Sequence, residues 1–325
     1  MDTTERVELE AEIPPEMRGE RLDQVAARLF PAYSRSRLQA WIRSGELTVD
    51  GGAGRPRDKV EAGSHLRIAA SLEQEVTWQA QDIALDILHE DDSIIVLNKP
   101  AGLVVHPAAG HADGTMVNAL LAHAPELSQV PRAGVVHRLD RDTSGVMVVA
   151  RNLPAHTDLV AQLQARTVHR EYTAVCIGVM TGGGTVDAPI GRHPKQRKKM
   201  AVVAVGGKPA VTHYRIEQRF GHHTQIAVRL ETGRTHQIRV HMAHRHYPLV
   251  GDPAYGGRPR LPAGASNRLI DALRGFPRQA LHARRLGLVH PSSGEECEYQ
   301  CSLPDDIVDL LAVLRDEDPV HGATA

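Results

Sequence analysis

The chain has 325 residues, with 38 Lys and Arg against 39 Asp and Glu, so its formal net charge is −1. Its 42% hydrophobic and 24% charged residues are typical of a soluble globular protein and exclude fibrous and wholly disordered chains. No apolar run approaches the ~20 residues that a membrane helix requires, and the acidic N-terminus lacks the basic and apolar regions of a secretory signal. We therefore expect a cytoplasmic protein that has no membrane partner.

Positive charge is concentrated in three stretches of this nearly neutral chain. Six arginines fall between Arg18 and Arg43, five cations between Arg192 and Lys199, and seven arginines between residues 258 and 285. Such patches are the electrostatic footprint of a phosphate-rich partner. A solvated surface is the alternative interpretation of any single stretch, but three stretches together favour nucleic acid.

The first predicted elements are two short amphipathic helices. Leu22, Val25, Ala26 and Leu29 recur at helical spacing, and a second helix follows Ser34, a potential N-cap. The polar side of the second helix carries three arginines, Arg35, Arg37 and Arg43. These side chains are available for phosphate contacts.

Two short strands are predicted next, near residues 47–49 and 66–68, around the turn pair Asp50-Gly51. Two helices followed by a small strand pair, with arginines on the second helix, resemble the S4 RNA-binding domain. The segments that carry this resemblance are Arg21-Leu-Asp, Ser34-Arg-Ser-Arg-Leu and Ile42-Arg-Ser-Gly45.

Changes in composition predict four regions of the chain. They are an acidic leader with the S4-like domain (1–75, core 19–68), a polar linker (76–83), a second domain (84–316) and a flexible acidic tail (317–325). Within the second domain, strand-like and helical runs alternate, which predicts an α+β fold with a mixed, largely antiparallel sheet flanked by helices. The predicted strands lie near 94–97, 146–149, 172–177 and 224–230, and the predicted helices near 154–165, 235–245 and 305–314.

A dense polar stretch, His137-Arg-Leu-Asp-Arg-Asp-Thr-Ser-Gly145, lies between two apolar runs. Burial of its charged side chains is unfavourable unless they pair, so the stretch indicates either a functional loop or a structural ion-pair network. It lacks the downstream Asn of a kinase catalytic loop, and the chain contains no P-loop pattern. We expect His137 to be a buried hydrogen-bonding residue that holds the loop, in preference to a general base.

The polar stretch resembles the signature of the RluA family of RNA pseudouridine synthases. The family's later motifs are resembled, in the same order, by Arg170-Glu-Tyr172, the run from Leu230 to His241, and Gly251-Asp-Pro-Ala-Tyr-Gly256. Three further segments, which begin at His106, Val130 and Thr212, resemble the RluD branch of that family most closely. Members of that branch isomerise uridines in the helix 69 stem-loop of 23S rRNA. The resemblance extends from about Gly19 to Leu314.

This resemblance implies a set of site residues. Asp140 would be the carboxylate that acts at the ribose, Arg239 its basic partner, and Tyr172 the aromatic ring that packs against the target base. A carboxylate in a dry site needs a nearby cation, and a flipped base needs a flat surface, so these residue types suit the chemistry. The implied substrate-binding residues are Arg138, which would fill the gap left by the flipped uridine, Arg141, and the S4-like arginines Arg35, Arg37 and Arg43.

No metal or cofactor is expected. Four histidines at positions 236, 241, 244 and 246 lie close in sequence, but their spacing differs from HExxH and does not place all four on one helical face. The implied partner is 23S rRNA or a precursor of the large ribosomal subunit, bound by a monomer.

Two alternatives remain at this stage. One is an S4-domain ribosome-assembly or RNA-binding factor without chemistry, and the other is a metal-dependent hydrolase. The presence of Asp140, Tyr172 and Arg239 together favours the enzyme over the binding factor. The sequence does not choose between attack of Asp140 at C1′ and assistance in proton abstraction.

Overall fold

Separate hydrophobic cores divide the chain into an N-terminal unit, Met1–Thr77, and a C-terminal unit, Trp78–Ala325. The computed structural model describes residues 5–31, 33, 35–72, 78–107, 113–196, 199–257 and 261–320. None of the helices within these ranges is long and apolar enough to cross a membrane.

The N-terminal unit packs two helices against a small antiparallel sheet. Its elements are β1 (Glu5–Glu12), α1 (Leu22–Leu29), α2 (Arg35–Ser44), β2 (Leu47–Val49), β3 (Gly52–Ala53) and β4 (His65–Leu72). In the described residues the strands pair in the order β1-β4-β2-β3. The predicted helices and strands are confirmed. Leu22, Val25, Leu47 and Ile68 are at most 1% exposed in the core between them. Ser34, the predicted N-cap, lies outside the described residues.

The segment predicted to be an acidic leader is instead a strand of this sheet. β1 pairs with β4 along its whole length, from Glu5 opposite Leu72 to Glu12 opposite His65. Val7 is buried, whereas the glutamates at alternate positions after it are exposed. This strand was not predicted, because the acidic composition masks the two-residue alternation of a half-buried strand.

Part of the predicted linker belongs to the C-terminal unit. Asn118 Nδ2 donates a hydrogen bond to Gln79 O at 2.7 Å, and Gln81 N donates to Asn118 O at 2.9 Å. Gly114 N donates to Gln81 Oε1 at 2.7 Å. The glutamines that suggested a solvated linker are therefore partners of backbone and amide groups in this unit, while residues 76 and 77 lie outside the described residues.

The C-terminal unit is built on one large sheet. Its elements are β5 (Ile87–Glu90), β6 (Ile94–Lys99), α3 (Met116–His123), β7 (Ser144–Ala150), α4 (Leu153–Ala165), β8 (His169–Ile177), β9 (Gly184–Asp187), β10 (Ile190–Arg192), β11 (Met200–Val202), β12 (Val211–Arg219), β13 (His223–Leu230), α5 (Gln237–His244), α6 (Asn267–Gly275), β14 (Leu281–Val289), β15 (Glu296–Gln300) and α7 (Asp305–Glu317). In the described residues the sheet has nine strands in the order β5-β6-β7-β14-β8-β13-β12-β9, with β15 paired to β14. β7 and β14 are parallel and the other pairs are antiparallel, which confirms the predicted mixed sheet.

The predicted elements of this unit correspond to β6, β7, β8 and β13 and to helices α4, α5 and α7. Helix α3 was missed because residues 116–121 are all buried, so the helix has no polar face to reveal its period. Its N-terminus is nevertheless well defined, since Thr115 and Asn118 form a reciprocal capping box.

The flexible acidic tail predicted from residue 317 is ordered at its start. Glu317 ends α7, and the next residue, Asp318, is buried. The Asp318 carboxylate accepts hydrogen bonds from His222 N at 2.9 Å and contacts His223 Nδ1 at 2.7 Å. Buried charge of this kind is stable only when it is paired, and composition alone does not reveal the pairing.

The parallel contact between β7 and β14 fixes the polar stretch that precedes β7. Ser144 lies opposite His282 and Gly145 opposite Ala283. Gly145 has a φ of 121°, and a Cβ there would lie 2.1 Å from Ala283 O, so this position requires glycine. The polar stretch is thereby held at the centre of the sheet.

Candidate active site

A cavity of about 880 Å³ opens in the C-terminal unit beside the polar stretch. Its walls come from residues 135–140 before β7, from β8, and from residues 230–239, which lead from the end of β13 into α5. Its volume is within the range of small-molecule binding sites and accommodates a nucleotide. Sequence-distant segments therefore meet at one concave surface.

Asp140 lies in this cavity and is bound by Arg239 from α5. Arg239 Nη1 donates to Asp140 Oδ2 at 2.9 Å. The same guanidinium donates from Nε and Nη2 to Asp252 at 2.7 and 2.9 Å, so one arginine connects two carboxylates. The Asp140 side chain keeps 17% of its surface exposed, whereas that of Asp252 keeps none. Asp140 is thus the carboxylate that a ligand in the cavity can reach.

Arg239 and its two carboxylate partners stabilise each other's charged forms. Burial opposes ionisation of Arg239, but the hydrogen bonds and charges of Asp252 and Asp140 raise its pKa above the ordinary value. Burial likewise disfavours the Asp252 carboxylate, yet Arg239 and the backbone N–H groups of Tyr255 and Ala254 lower its pKa. The arginine is therefore permanently charged, and Asp252 fixes its orientation toward Asp140.

Lys99 anchors the loop that carries Asp140 by hydrogen bonds to backbone carbonyl oxygens. Its side chain is fully buried, and Nζ donates to the carbonyl oxygens of Pro100, Leu103 and Arg141 at 2.7, 2.9 and 2.8 Å. Burial lowers the pKa of Lys99 to about 7, against the attraction of Asp142 and Asp140. Three carbonyl acceptors match the three N–H donors of an ammonium group, so the geometry favours the charged form.

A second anchor comes from the segment before β14. Arg278 Nη1 donates to Asp142 O at 3.1 Å, and Gln279 Nε2 donates to Thr143 Oγ1 at 3.0 Å. Arg278 is itself paired with Asp306, at 2.6 Å from Nε. The loop is therefore held by hydrogen bonds at the three residues that follow Asp140.

Two of the other predicted residues also line the cavity, and one does not. Tyr172 on β8 is 7% exposed and contributes to the wall, and Arg138 is exposed at the rim. Arg141 points elsewhere: it pairs with Asp142 at 2.8 Å and is not among the residues that line the cavity. The three substrate and catalytic roles implied by the resemblance stay predictions.

His137, at the start of the polar stretch, is hydrogen-bonded to β7. Its Nε2 accepts a hydrogen bond from Val148 N at 3.1 Å. Burial, aided by the charge of Arg170, lowers the pKa of His137 to about 3. The predicted hydrogen bond is present, but the residue is only partly buried and also lines the cavity, so the preference for a holding role over a general base stays a prediction.

The histidines considered as metal ligands are not gathered at one point. His236 lines the cavity, with Nδ1 2.8 Å from the Tyr255 hydroxyl and Nε2 3.9 Å from Asp140. Both ring nitrogens of His241 are engaged elsewhere, by Thr212 and Ala188. His244 and His246 are exposed. Among the described residues, the one group with metal-type geometry is His89, Asp91 and His290, in which each histidine Nε2 already lies 2.9 Å from the Asp91 carboxylate.

Sequence reasoning missed several residues of the site. Asp252 was part of a recognised motif, and its position before Pro253 in an otherwise uncharged segment was the available signal. Trp78, which lies 5.9 Å from the His106 ring and lines the cavity, was assigned to the linker. Arg170 was noted as part of the Arg-Glu-Tyr motif without a role, although it shares the cavity with Tyr172.

The predicted RNA-binding arginines lie in the N-terminal unit, where a buried acid organises part of them. Asp23 is fully buried and accepts hydrogen bonds from Arg21, Arg35 and Gln39 at 3.0, 2.7 and 2.6 Å. Burial opposes its ionisation, but these donors lower the pKa of Asp23 to about 2. Arg43 is exposed and donates to Gln39 Oε1 at 3.3 Å. Arg37 lies on the same helix and is partly exposed.

Comparison with known proteins agrees with this geometry. Residues 93–244 match the family model described as RNA pseudouridylate synthase, and residues 20–66 match the S4 domain. A Pseudomonas aeruginosa protein named ribosomal large subunit pseudouridine synthase D is 60% identical over 97% of this chain and 98% of its own length. The Escherichia coli protein of the same name is 55% identical over 98% of this chain and 97% of its own.

Among solved structures, human RNA pseudouridylate synthase domain containing 4 is 29% identical, with a TM-score of 0.58 over 71% of this chain and 93% of that one. The two bacterial proteins match almost the whole length of this chain, at 60% and 55% identity. The chain therefore belongs to the RNA pseudouridylate synthase family.

Proposed function

We propose that this chain isomerises uridine to pseudouridine in the 23S rRNA of the large ribosomal subunit or its precursor, with helix 69 as the target stem-loop. It acts as a monomer in the cytoplasm and needs no metal or cofactor. Support for the rRNA substrate comes from the names of its near-full-length relatives and from the S4 domain. The helix 69 target rests on the motif resemblance to the RluD branch.

The observation that carries the proposal is the Asp140–Arg239 contact of 2.9 Å on the wall of the cavity. Isomerisation breaks the bond from ribose C1′ to uracil N1, turns the base and forms a bond from C1′ to C5, while one proton leaves C5 and one is gained at N1. A carboxylate beside an electron-poor C1′ stabilises the transition state, either as nucleophile or as a counter-ion that helps to remove a ribose proton. Asp140 has the position and charge partner for this role.

Tyr172 and Arg138 fit the two demands of base flipping. The Tyr172 ring belongs to the cavity wall near Asp140 and offers a flat face, on which a base stacks with about 1 to 3 kcal/mol. Arg138 is exposed two residues before Asp140, where it can enter the helix in place of the departed uridine. Once the nucleotide fills the cavity, water is displaced from C1′ and hydrolysis is suppressed.

The test is Asp140→Asn, compared with Asp92→Asn. Asp92 is exposed between β5 and β6 and does not line the cavity, so its variant matches the chemical change away from the site. We expect Asp140→Asn to lower pseudouridine formation by at least about a hundredfold, because it removes the charge from the reacting centre, with RNA affinity nearly unchanged. Asp92→Asn should keep most of the turnover.

Pseudouridine is quantified by mass spectrometry of a 23S rRNA fragment, and the modified positions are mapped in rRNA from cells that lack the protein. More than a few per cent of wild-type turnover in Asp140→Asn would remove Asp140 from the chemistry. A wild-type protein that binds the fragment but forms no pseudouridine would favour an RNA-binding assembly factor.

A further inference from the structure

Arg170 is a buried cation on the wall of the cavity. It precedes Tyr172 by two residues on β8, so both side chains project from the same face of the strand. Both line the cavity, and Arg170 is only 8% exposed. A strand in the middle of the sheet therefore presents an aromatic ring and a guanidinium side by side.

The donors of this guanidinium are incompletely used. Nη2 donates to Glu231 O at 3.2 Å, but in the described part of the chain Arg170 Nε is the one buried side-chain nitrogen or oxygen that has no hydrogen-bond partner. The Glu231 carboxylate is taken by His213 and Arg166, at 2.7 and 3.3 Å. Native proteins rarely leave a buried donor of a charged group unpaired, so the empty Nε position calls for an explanation.

The other buried arginines of the described chain are neutralised by acids. Arg239 pairs with Asp140 and Asp252, and Arg278 pairs with Asp306. Arg170 has no carboxylate oxygen within 4.0 Å in the same residues. A buried charge without a counter-ion is unfavourable for folding, and such groups are retained where a ligand completes the pairing.

The loop around Gly233 packs closely against the Arg170 guanidinium. A Cβ at Gly233 would lie 2.9 Å from Arg170 Nη1, so glycine lets the loop pass over the arginine without displacing it. Gly233 and its neighbours Thr232 and Arg234 also line the cavity. Since Nε is buried and Nη2 is bonded to Glu231 O, Nη1 is the donor through which Arg170 would bind a ligand in the cavity.

We propose that Arg170 donates hydrogen bonds to an oxygen of the bound nucleotide that carries negative charge. This inference rests on the proposed function and adds a substrate-binding residue to it. Two oxygens have the required chemistry: a non-bridging oxygen of the phosphate beside the target uridine, and the uracil carbonyl oxygen that gains charge when the C1′–N1 electron pair leaves with the base. No proton is transferred, because arginine stays protonated throughout.

Arg170 and Asp140 give the lining of the cavity groups of opposite charge. Asp140 would act at the ribose, where positive charge develops. Arg170 would act at the base or its phosphate, where negative charge resides. Preorganised charges of this kind act strongly because water is excluded.

The experiment compares Arg170→Gln and Arg170→Lys with Arg229→Gln in the full-length protein. Arg229 is an exposed arginine on the neighbouring β13 and does not line the cavity, so it controls for loss of a sheet cation. RNA affinity is measured by titration of a 23S rRNA stem-loop, chemistry by single-turnover pseudouridine formation at saturating enzyme, and folding by thermal unfolding. Arg170→Lys retains the charge but not the Nε donor.

A hydrogen bond to a charged group predicts a loss of roughly 10- to 100-fold in Arg170→Gln, with partial recovery in Arg170→Lys. If the phosphate is the ligand, the loss falls on the dissociation constant and the saturated rate stays within twofold. If the uracil oxygen is the ligand, the loss falls on the saturated rate and affinity stays within twofold.

Arg170 variants that unfold at lower temperature but keep wild-type affinity and rate would overturn the proposal and make Arg170 a structural residue. If Arg170→Gln does not fold, Arg170→Lys decides the matter by the same two readouts. A wild-type protein without activity would refute the proposed function, and the affinity arm would still test whether Arg170 contacts the RNA phosphate.

Discussion

Two arginine–aspartate clusters in the two units have opposite compositions. In the N-terminal unit one buried acid, Asp23, holds two arginines, Arg21 and Arg35, so the cluster has a net positive charge. In the C-terminal unit one buried arginine, Arg239, holds two acids, so its cluster has a net negative charge. In each case the residue in the minority is buried, and in the second cluster Asp252 is buried as well.

The two clusters show how a fold can expose either a positive or a negative group to a ligand. The buried central group is neutralised by two partners, and the surplus partner remains partly accessible: 46% of the Arg35 side chain and 17% of the Asp140 side chain are exposed. A presented arginine suits an RNA phosphate, and a presented carboxylate suits a ribose C1′. The same two residue types therefore serve binding in one unit and chemistry in the other.

The largest effect is expected from Arg239→Met. It leaves Asp140 and Asp252 close together without a cation, so we expect loss of measurable turnover and about 3 to 5 kcal/mol of stability of the C-terminal unit. Pseudouridine formation and urea unfolding measure the two effects. Normal turnover in this variant would mean that Asp140 does not need its cation.

A smaller effect is expected from Asp252→Asn. The Asp140–Arg239 contact is retained, but Arg239 loses the bidentate partner that sets its orientation. Misplacement of a catalytic group by about 1 Å costs roughly a hundredfold, so we expect a 10- to 100-fold lower saturated rate with an unchanged RNA dissociation constant. An unaltered rate would show that the packing of α5 alone fixes the arginine.

Asp23→Asn tests the N-terminal cluster. The pKa of Asp23 falls from 3.8 to about 2 on folding, which corresponds to at most about 2 kcal/mol of stability. Because the unfolded chain binds the proton more tightly, this stabilisation is complete above pH 3.8 and disappears as the pH falls toward 2.

The difference in unfolding free energy between wild type and Asp23→Asn should therefore be about 2 kcal/mol at pH 7 and shrink between pH 4 and 2. Fluorescence of Trp41, which is buried in the N-terminal core, follows this unit in a Trp78→Phe background. A difference that stays constant over this pH range would mean that the Asp23 charge does not stabilise the fold.

The smallest effect belongs to a single exposed arginine, Arg43. If it contacts one phosphate, Arg43→Gln should reduce the slope of log affinity against log salt by about 0.7 to 0.9 and weaken binding only severalfold. The matched control is Arg67→Gln on β4, whose charge is already opposed by Glu10 at 3.3 Å. Equal slopes for Arg43→Gln and wild type would place Arg43 away from the RNA.

Local apolar patterns explain which parts of the fold the sequence predicted. α1 shows apolar residues at helical spacing, β7 and β13 are short apolar runs, and the bounds of all three were close to those observed. β1 and α3 lack a visible pattern, because one is rich in acids and the other is apolar on every side. Periodicity reports only on elements with two faces of different polarity.

Individual residues of the site were predictable from the sequence, but the contacts between them were not. Asp140 and Arg239 are 99 residues apart, and their contact followed from a motif resemblance, since spacing cannot join segments so distant. Asp252 and Arg170 were left without roles because their importance depends on what each side chain contacts or fails to contact. Pairing of buried charge is a property of the folded chain.

The anchoring of the Asp140 loop also dictates when the site can form during synthesis. Lys99 precedes the loop, but Arg278, Gln279 and His282, which also hold it, come more than 130 residues later. Contacts so far apart in sequence form late in folding. A growing chain therefore carries Asp140 long before it has the residues that position it, and it becomes a catalyst only after β14 has left the ribosome.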